Sequence, residues 1–248
     1  MSPQDQQSPH DRNRAIPALF DQGGRDYDRL VAANPGYHRH LALSARRLAL
    51  RGGGRGLRLL DVGCGTGAST RALLDAAPHA SIVAVDGSQR MLAEARGKAW
   101  PQSVRFVHAD VRSLSEAGVH GPFDGILAAY LLRNLPDPSA GLRLLHDLLR
   151  PGAPLAVHDY SLPLRLADRL LWHAVCRAVI MPLARLSTGE TELYRHLWRS
   201  VLEFDHPERL LNRMRKTGFA AVRVEPMSGW QRTITHTFLG VRPESADA

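Results

Sequence analysis

Two hydrophobic rhythms take turns along most of the chain. Runs dense in β-branched and aliphatic residues, at 57–62, 81–85, 104–108, 123–129 and 154–160, are separated by runs with apolar residues at helical spacing, at 68–77, 89–98 and 140–149. Strands alternating with helices predict right-handed crossovers and a largely parallel sheet. The near-continuous apolar start of 154–160 suits a strand buried on both faces, and Pro151-Gly152 stops the helix before it. A preceding helix is expected over 36–51, where Leu41, Leu43, Leu48 and Leu50 interleave with basic residues and Gly52-Gly53-Gly54 ends the segment. The stretch 162–204 breaks the alternation and reads as a helical insertion after the fifth strand. A helix over 207–217, closed by Gly218, and strands at 220–224 and 233–241 complete the pattern. The expected fold class is α/β: a seven-stranded, mostly parallel sheet with helices on both faces. Residues 1–15, polar and without apolar periodicity, read as a disordered leader, and 16–248 as a single domain.

Composition narrows the setting. With 248 residues, 44% of them hydrophobic, the chain can bury one large core. Cys64 and Cys176 lie far apart and lack metal-ligand spacing, so neither a disulfide framework nor a metal site is expected, and a reducing, cytoplasmic location fits. The first fourteen residues lack the apolar core of a secretory signal, and no run of 18 apolar residues follows. The formal net charge of +8 would suit a phosphate-bearing partner, but the arginines that supply it are scattered and form no basic run; no nucleic-acid partner is expected.

The candidate chemistry begins at Leu59-Leu60-Asp61-Val62-Gly63-Cys64-Gly65-Thr66-Gly67, an apolar strand running into a glycine-rich turn that opens a helix. Glycines there let the backbone turn tightly and approach a ligand without Cβ clashes, and Asp61 supplies a carboxylate near the strand end. The next strand ends in Asp86, placed to accept both hydroxyls of a ribose, and the third in Ala109-Asp110-Val111, where Asp110 can accept from an adenine amino group. A nicotinamide-dependent dehydrogenase shares the turn and the ribose carboxylate. Its fingerprint is Gly-x-Gly-x-x-Gly with a pyrophosphate on the helix N-terminus, whereas this turn is Gly-x-Gly-x-Gly with a preceding Asp and no hydride-transfer constellation after it.

With these motifs the chain resembles a class I S-adenosylmethionine (SAM)-dependent methyltransferase, and more narrowly the ubiquinone/menaquinone C-methyltransferase family. The resemblance assigns Gly63, Gly65 and Thr66 to the methionine end of SAM, Asp86 to the ribose, and Asp110 with Val111 to the adenine. The narrower likeness rests on Phe20 with Tyr27-Asp28, Leu132-Arg133-Asn134 with Asp137, Met181-Pro182-Leu183 through Gly189-Glu190 and Tyr194, and Phe204, Gly218-Phe219 and Ser228-Gly229. Three positions depart from the family pattern: Ala129 where Ser is frequent, Asp159 where Glu is common, and Trp230 where a second Gly is usual. All three fall in the half of the site that would touch the acceptor.

Methyl transfer from SAM is an in-line displacement, so alignment of the nucleophile and exclusion of water dominate. If the acceptor is a quinol ring carbon, a base poised near neutral pH would help by ionising the adjacent phenol. The candidates are His158 and Asp159 at the end of the fifth strand, with Tyr194 and, at the acceptor, His236; Arg133 and Asn134 are expected to shape the acceptor mouth and Tyr27 to close over the site. In the insertion, Arg169, His173 and Arg177 recur on one face of a helix at 166–181, and Leu170, Leu171, Ala174, Val175 and Ala178 define an apolar face. That helix suits a cover for a greasy tunnel, an anionic membrane surface, or a contact in a homodimer. The expected acceptor is a lipid quinol; a soluble aromatic or polyketide-like metabolite and a non-catalytic SAM-binding role remain open.

Overall fold

The structure, a computed structural model, describes residues 36–180, 182 and 192–244. Seven strands, β1 (Arg58–Val62), β2 (Ser81–Asp86), β3 (Val104–His108), β4 (Gly125–Ala129), β5 (Pro154–Tyr160), β6 (Ala220–Pro226) and β7 (Thr235–Val241), form one sheet in the order β3-β2-β1-β4-β5-β7-β6. The first five strands pair in parallel, and β7 runs antiparallel between β5 and β6. Strand order reverses between β1 and β4, which opens a crevice at their carboxyl ends, where open α/β sheets take ligands.

The helices are α1 (Tyr37–Arg47), α2 (Ala68–Ala76), α3 (Gln89–Arg96), α4 (Pro138–Leu148), α5 (Leu166–Val175), α6 (Glu192–Glu203) and α7 (Pro207–Lys216). The period-2 alternation of the strands explains how they cover both faces. Leu60 and Val62 of β1 join one core with Leu142 and Leu145 of α4 and Leu210 of α7. Leu59, the residue before Leu60, points to the opposite face and joins the other with Leu41 and Ala45 of α1 and Leu73 of α2.

Element ends follow their capping chemistry. α4 starts at Pro138 rather than 140 because the Asp137 carboxylate accepts from the Ser139 and Ala140 N–H groups, and Pro is tolerated in a first turn. α1 stops at Arg47 instead of continuing to 51: Ala49 adopts a left-handed φ of 53° and a tight turn follows over Arg51–Gly54. A short turn at Gly229–Gln231 delays β7 to Thr235.

In the insertion, α5 runs into a π-helical turn at Cys176–Ile180. Its buried side is set by Trp172 and Cys176, which pack with Tyr160, Leu162, Val201 and Ile234. The strip read from sequence as polar turns partly inward: His173 Nδ1 accepts from Trp198 Nε1 at 3.2 Å, and the Arg177 guanidinium lies 5.8 Å from the Trp198 ring. A large aromatic gains more from burial than a leucine, so Trp172 takes the core and Leu164, Leu166 and Leu170 stand 72%, 71% and 58% exposed.

Candidate active site

A cleft opens over the carboxyl ends of β1, β2 and β4. Its floor is the turn from Gly63 to Gly67, fastened by Gly63 and Cys64 N–H groups donating to Val85 O at 2.8 and 3.0 Å. Two glycines there are required by geometry. Gly67 has φ 91°, and a Cβ on it would meet Trp100 Cζ2 at 2.8 Å; Gly65 has φ 54°, and its Cβ position faces open space in the cleft.

The three carboxylates have different situations. Asp86 lines the cleft and is aimed by two backbone donors, Gly65 N–H to Oδ2 and Ser88 N–H to Oδ1, both at 2.8 Å. Asp110 lines it too, but Arg112 holds it through Nε (2.8 Å), Nη2 (2.6 Å) and its own N–H (2.8 Å), which keeps the carboxyl below its usual pKa. Three of roughly four acceptor positions on a carboxylate are then in use. Val111 lies beside it on the cleft wall. Asp61 is fully buried beneath the turn, where Oδ2 accepts from Thr70 Oγ1 (2.6 Å) and Ser69 Oγ (2.8 Å) and Oδ1 has no hydrogen-bond partner among the described residues. Burial pushes its pKa up to about 7 against those two bonds, and the nearby Asp86 charge adds to the rise. Thr66 is buried at the cleft, its carbonyl accepting from Lys98 Nζ at 2.8 Å.

The opposite wall comes from the segment after β4, backed by the end of β5, whose Asp159 lies behind the lining. Arg133, almost wholly buried, donates through Nη1 to Asp159 Oδ1 at 2.6 Å, and its guanidinium carbon lies 5.3 and 5.5 Å from the Tyr130 and Tyr160 rings. Burial raises the Asp159 pKa, while Arg133 and the Tyr160 N–H (2.9 Å) draw it back down. Asn134 ties this wall to the insertion: Nδ2 donates to Tyr130 O (2.9 Å), and Oδ1 accepts from His196 Nε2 of α6 (3.0 Å).

His158 sits behind that wall, bonded through Nε2 to Tyr130 Oη at 3.0 Å. Burial, reinforced by the positive surroundings of His40, Arg47, Arg133 and His236, pushes its pKa down to about 3, so it is neutral rather than poised near pH 7. His236, opposite Asp159 in the β5–β7 register, is pushed down to about 4 by burial and Arg47, and its Nδ1 is buried with no hydrogen-bond partner among the described residues. Neither histidine lines the cleft. Tyr27 lies outside the described residues, as do Phe20, Asp28, Met181, Leu183, Gly189 and Glu190; Tyr194 lies in α6 with its side chain outside them. Among the described residues no group of three or more His, Cys, Asp or Glu side chains could hold a metal ion.

Sequence reasoning missed Tyr130, which lines the cleft between Arg133 and His158, and Arg112, which engages Asp110. It also passed over Ser44, although a serine inside the apolar stripe formed by Leu41 and Ala45 of α1 and Leu48 at its end was a visible anomaly.

Residues 9–238 match the ubiE/COQ5 methyltransferase family. The chain belongs to that family. This methyltransferase is 31% identical over 209 residues to the demethylmenaquinone methyltransferase of Clavibacter sepedonicus, covering 84% of this chain and 83% of the relative. It is 36% identical over 170 residues to the demethylmenaquinone methyltransferase of Thermus thermophilus, covering 68% and 76%. Its fold resembles that of the [4+2]-cyclase SpnF at a TM-score of 0.67 and 19% identity, over 94% and 97% of the two chains.

The methyltransferase's donor is SAM, and the residues fit it. The open space above Gly65 admits a ligand against bare backbone, and Asp86, aimed by two amides, presents a carboxylate on the cleft wall where a ribose diol would lie. Asp61 Oδ1, beneath the turn and without a partner among the described residues, suits a cationic amino acid above it.

Proposed function

We propose that this methyltransferase C-methylates the ring of a prenylated, demethylmenaquinol-like quinol. On this reading Gly63, Gly65 and Thr66 hold the methionine end of SAM, with Asp61 beneath them, Asp86 holds the ribose, and Asp110 with Val111 holds the adenine. When bound, SAM supplies a methyl carbon made electrophilic by the sulfonium and keeps the S–C electron pair on sulfur as the methyl leaves.

The observation that carries the reading is Arg133: a buried cation on the cleft wall, held by Asp159 and flanked by the Tyr130 and Tyr160 rings. A flat phenolic ring gains there both an aromatic surface and a positive charge that favours its ionised form, and ionisation strengthens the adjacent ring carbon as a nucleophile. Asp159 keeps Arg133 in place. With His158 neutral and Asp159 committed to an ion pair, activation comes from electrostatic stabilisation of the phenolate more than from a side-chain base.

The deciding experiment is incubation of the protein with methyl-labelled SAM and a reduced demethylmenaquinol bearing a short prenyl tail, the product read by mass spectrometry. Label on a ring carbon is expected. Transfer to a soluble phenolic metabolite alone would move the acceptor to that class, which the Ala129, Asp159 and Trp230 departures accommodate. SAM binding without any transfer would make the chain a non-catalytic binder.

A lipid acceptor needs a route from the bilayer, and among the described residues no helix is long and apolar enough to cross one. We propose that the exposed Leu164, Leu166 and Leu170, with Arg165 exposed among them and Arg169 one turn on, rest on an anionic membrane surface. Leu166→Ser with Leu170→Ser should lower co-sedimentation with phosphatidylglycerol vesicles about tenfold or more. Unchanged co-sedimentation with loss of a dimer in sedimentation velocity would assign the face to a second copy of the chain.

A further inference from the structure

Behind the cleft a hydrogen-bonded chain crosses the fold through side chains that the reading above does not use. Arg47 Nη1 donates to Thr237 Oγ1 at 2.8 Å, Thr237 and Ser44 hydroxyls lie 2.7 Å apart, Ser44 Oγ is 2.9 Å from His158 Nδ1, and His158 Nε2 is 3.0 Å from Tyr130 Oη. Ser44, His158 and Thr237 are completely buried. Arg47 is itself anchored by Glu225 at 2.7 Å. The chain thus begins at a fixed cation and ends on the cleft wall.

Counting protons sets its direction. Arg47 can only donate, so one lone pair of Thr237 Oγ1 is occupied. If Ser44 also donated to Thr237, the Thr237 proton would be buried with no acceptor among the described residues, at the cost of an unmade hydrogen bond. With Thr237 donating to Ser44, and Ser44 to His158 Nδ1, every buried hydroxyl both donates and accepts. A neutral His158 then carries its single proton on Nε2 and donates it to Tyr130 Oη. Tyr130 therefore accepts from His158 and turns its own phenolic proton elsewhere. Accepting that bond polarises the hydroxyl and makes it a stronger donor.

The backbone of Tyr130 is strained and pinned in place. It is a non-glycine residue with φ 55°, pinned by its N–H donating to His158 O at 2.6 Å and its carbonyl accepting from Asn134 Nδ2 at 2.9 Å. Such left-handed residues cost free energy and cluster where a site needs them. The ring is also fixed by stacking on Tyr37, with centroids 5.6 Å apart and planes within 6°.

We propose that Tyr130 donates a hydrogen bond to the ring oxygen of the acceptor, with His158 and Ser44 as positioning residues that hold the hydroxyl in the donating sense. This rests on the hydroxylated aromatic acceptor proposed above. Arg133 supplies charge to the same ring oxygen and Tyr130 supplies direction, so together they select a ring bearing an oxygen next to the carbon to be methylated.

The test uses the full chain saturated with S-adenosylhomocysteine and two rings of matched shape, 2-naphthol and 2-methylnaphthalene, with binding and ionisation of the bound naphthol followed by fluorescence and absorbance. Wild type should prefer the naphthol by about tenfold or more, and the bound ring should ionise about one pH unit lower than in Tyr130→Phe, which keeps the ring and loses only the hydroxyl. Tyr130→Phe should lose most of that preference, keeping only what the Arg133 charge contributes, with unchanged S-adenosylhomocysteine affinity. Ser44→Ala should fall between the two, a graded response that a packing role would not give. An undiminished naphthol preference and ionisation in Tyr130→Phe overturns the proposal while leaving the aromatic acceptor standing. Failure of wild type to bind either ring removes the aromatic acceptor, and the Tyr130 proposal with it.

Discussion

The two walls of the cleft are built by different means. The donor wall rests on backbone and on local pairs: a glycine turn fastened to Val85, a carboxylate aimed by the amides of Gly65 and Ser88, and Asp110 and Asp61 held by side chains only two to nine residues away. The acceptor wall is side chain on side chain: Arg133 on Asp159, Asn134 on His196, Tyr130 on His158 and His158 on Ser44. A wall made of backbone can be kept while sequence around it changes, because any side chain pointing away is tolerated. A wall made of interlocking side chains changes whenever one member does. The donor wall therefore suits a donor common to many enzymes, and the acceptor wall suits selection of one acceptor.

The sharpest break in this comparison is Asp86→Ala. It removes the carboxylate that the Gly65 and Ser88 amides hold and the acceptor proposed for the ribose hydroxyls. SAM affinity by calorimetry should fall about a hundredfold or more, since hydrogen bonds to a charged group contribute about 1.5–3 kcal/mol each. Undiminished affinity would move the donor site off this wall.

The same contrast explains what the sequence disclosed. The strand and helix rhythm was visible because a sheet covered on both faces imposes period-2 and period-3.6 patterns locally; only ends shifted, where Asp137 capped α4 early and Ala49 turned α1 off. The glycine turn was visible because its constraints lie in consecutive residues. The acceptor wall was only partly visible: His158 and Asp159 stood out as polar residues at a strand end, and Arg133 and Asn134 through the family resemblance, but their pairings did not. Ser44 meets His158 across 114 positions of chain and Thr237 across 193. Nothing in local spacing could reveal that His158 would be buried and neutral, or that Tyr130 would stand between it and the cleft.

A second break targets the acceptor wall alone. Arg133→Met leaves Asp159 buried without its cation, which should cost about 3–5 kcal/mol of folding stability in urea titrations. The double change Arg133→Met with Asp159→Leu should restore much of that, because a buried ion pair replaced by apolar groups is often neutral. Neither variant should transfer methyl groups, and both should keep SAM affinity within about threefold, a change of less than 1 kcal/mol. SAM affinity that follows the stability loss would mean that the walls are not independent.

The smallest effect is a pH response, because the buried histidines and the buried carboxyls with raised pKa values should respond to acid in opposite senses. In the acceptor wall His158 is held near 3 and His236 near 4, both from 6.5, and His40 is lowered too. Their folded pKa values lie below the unfolded ones, so as pH falls below 6.5 the unfolded chain takes up protons that the folded chain refuses. Each such group removes up to about 1.4 kcal/mol of stability per pH unit until its folded pKa is reached. In the donor wall Asp61 is raised from 3.8 to about 7, so between those values the folded chain binds the proton more tightly and Asp61 contributes stability that grows as pH falls. Asp159 is raised as well and acts in the same sense as Asp61. Between pH 6.5 and 4.5 the histidines outnumber the carboxyls, and wild type should lose stability. His158→Gln should start less stable, having lost the bonds to Ser44 and Tyr130, but its line of unfolding free energy against pH, from urea titrations, should be shallower by about 1.4 kcal/mol per unit. Asp61→Asn should make the line steeper. Parallel lines for all three proteins would mean that neither group titrates with the fold, and that burial shifts these groups less than their surroundings imply.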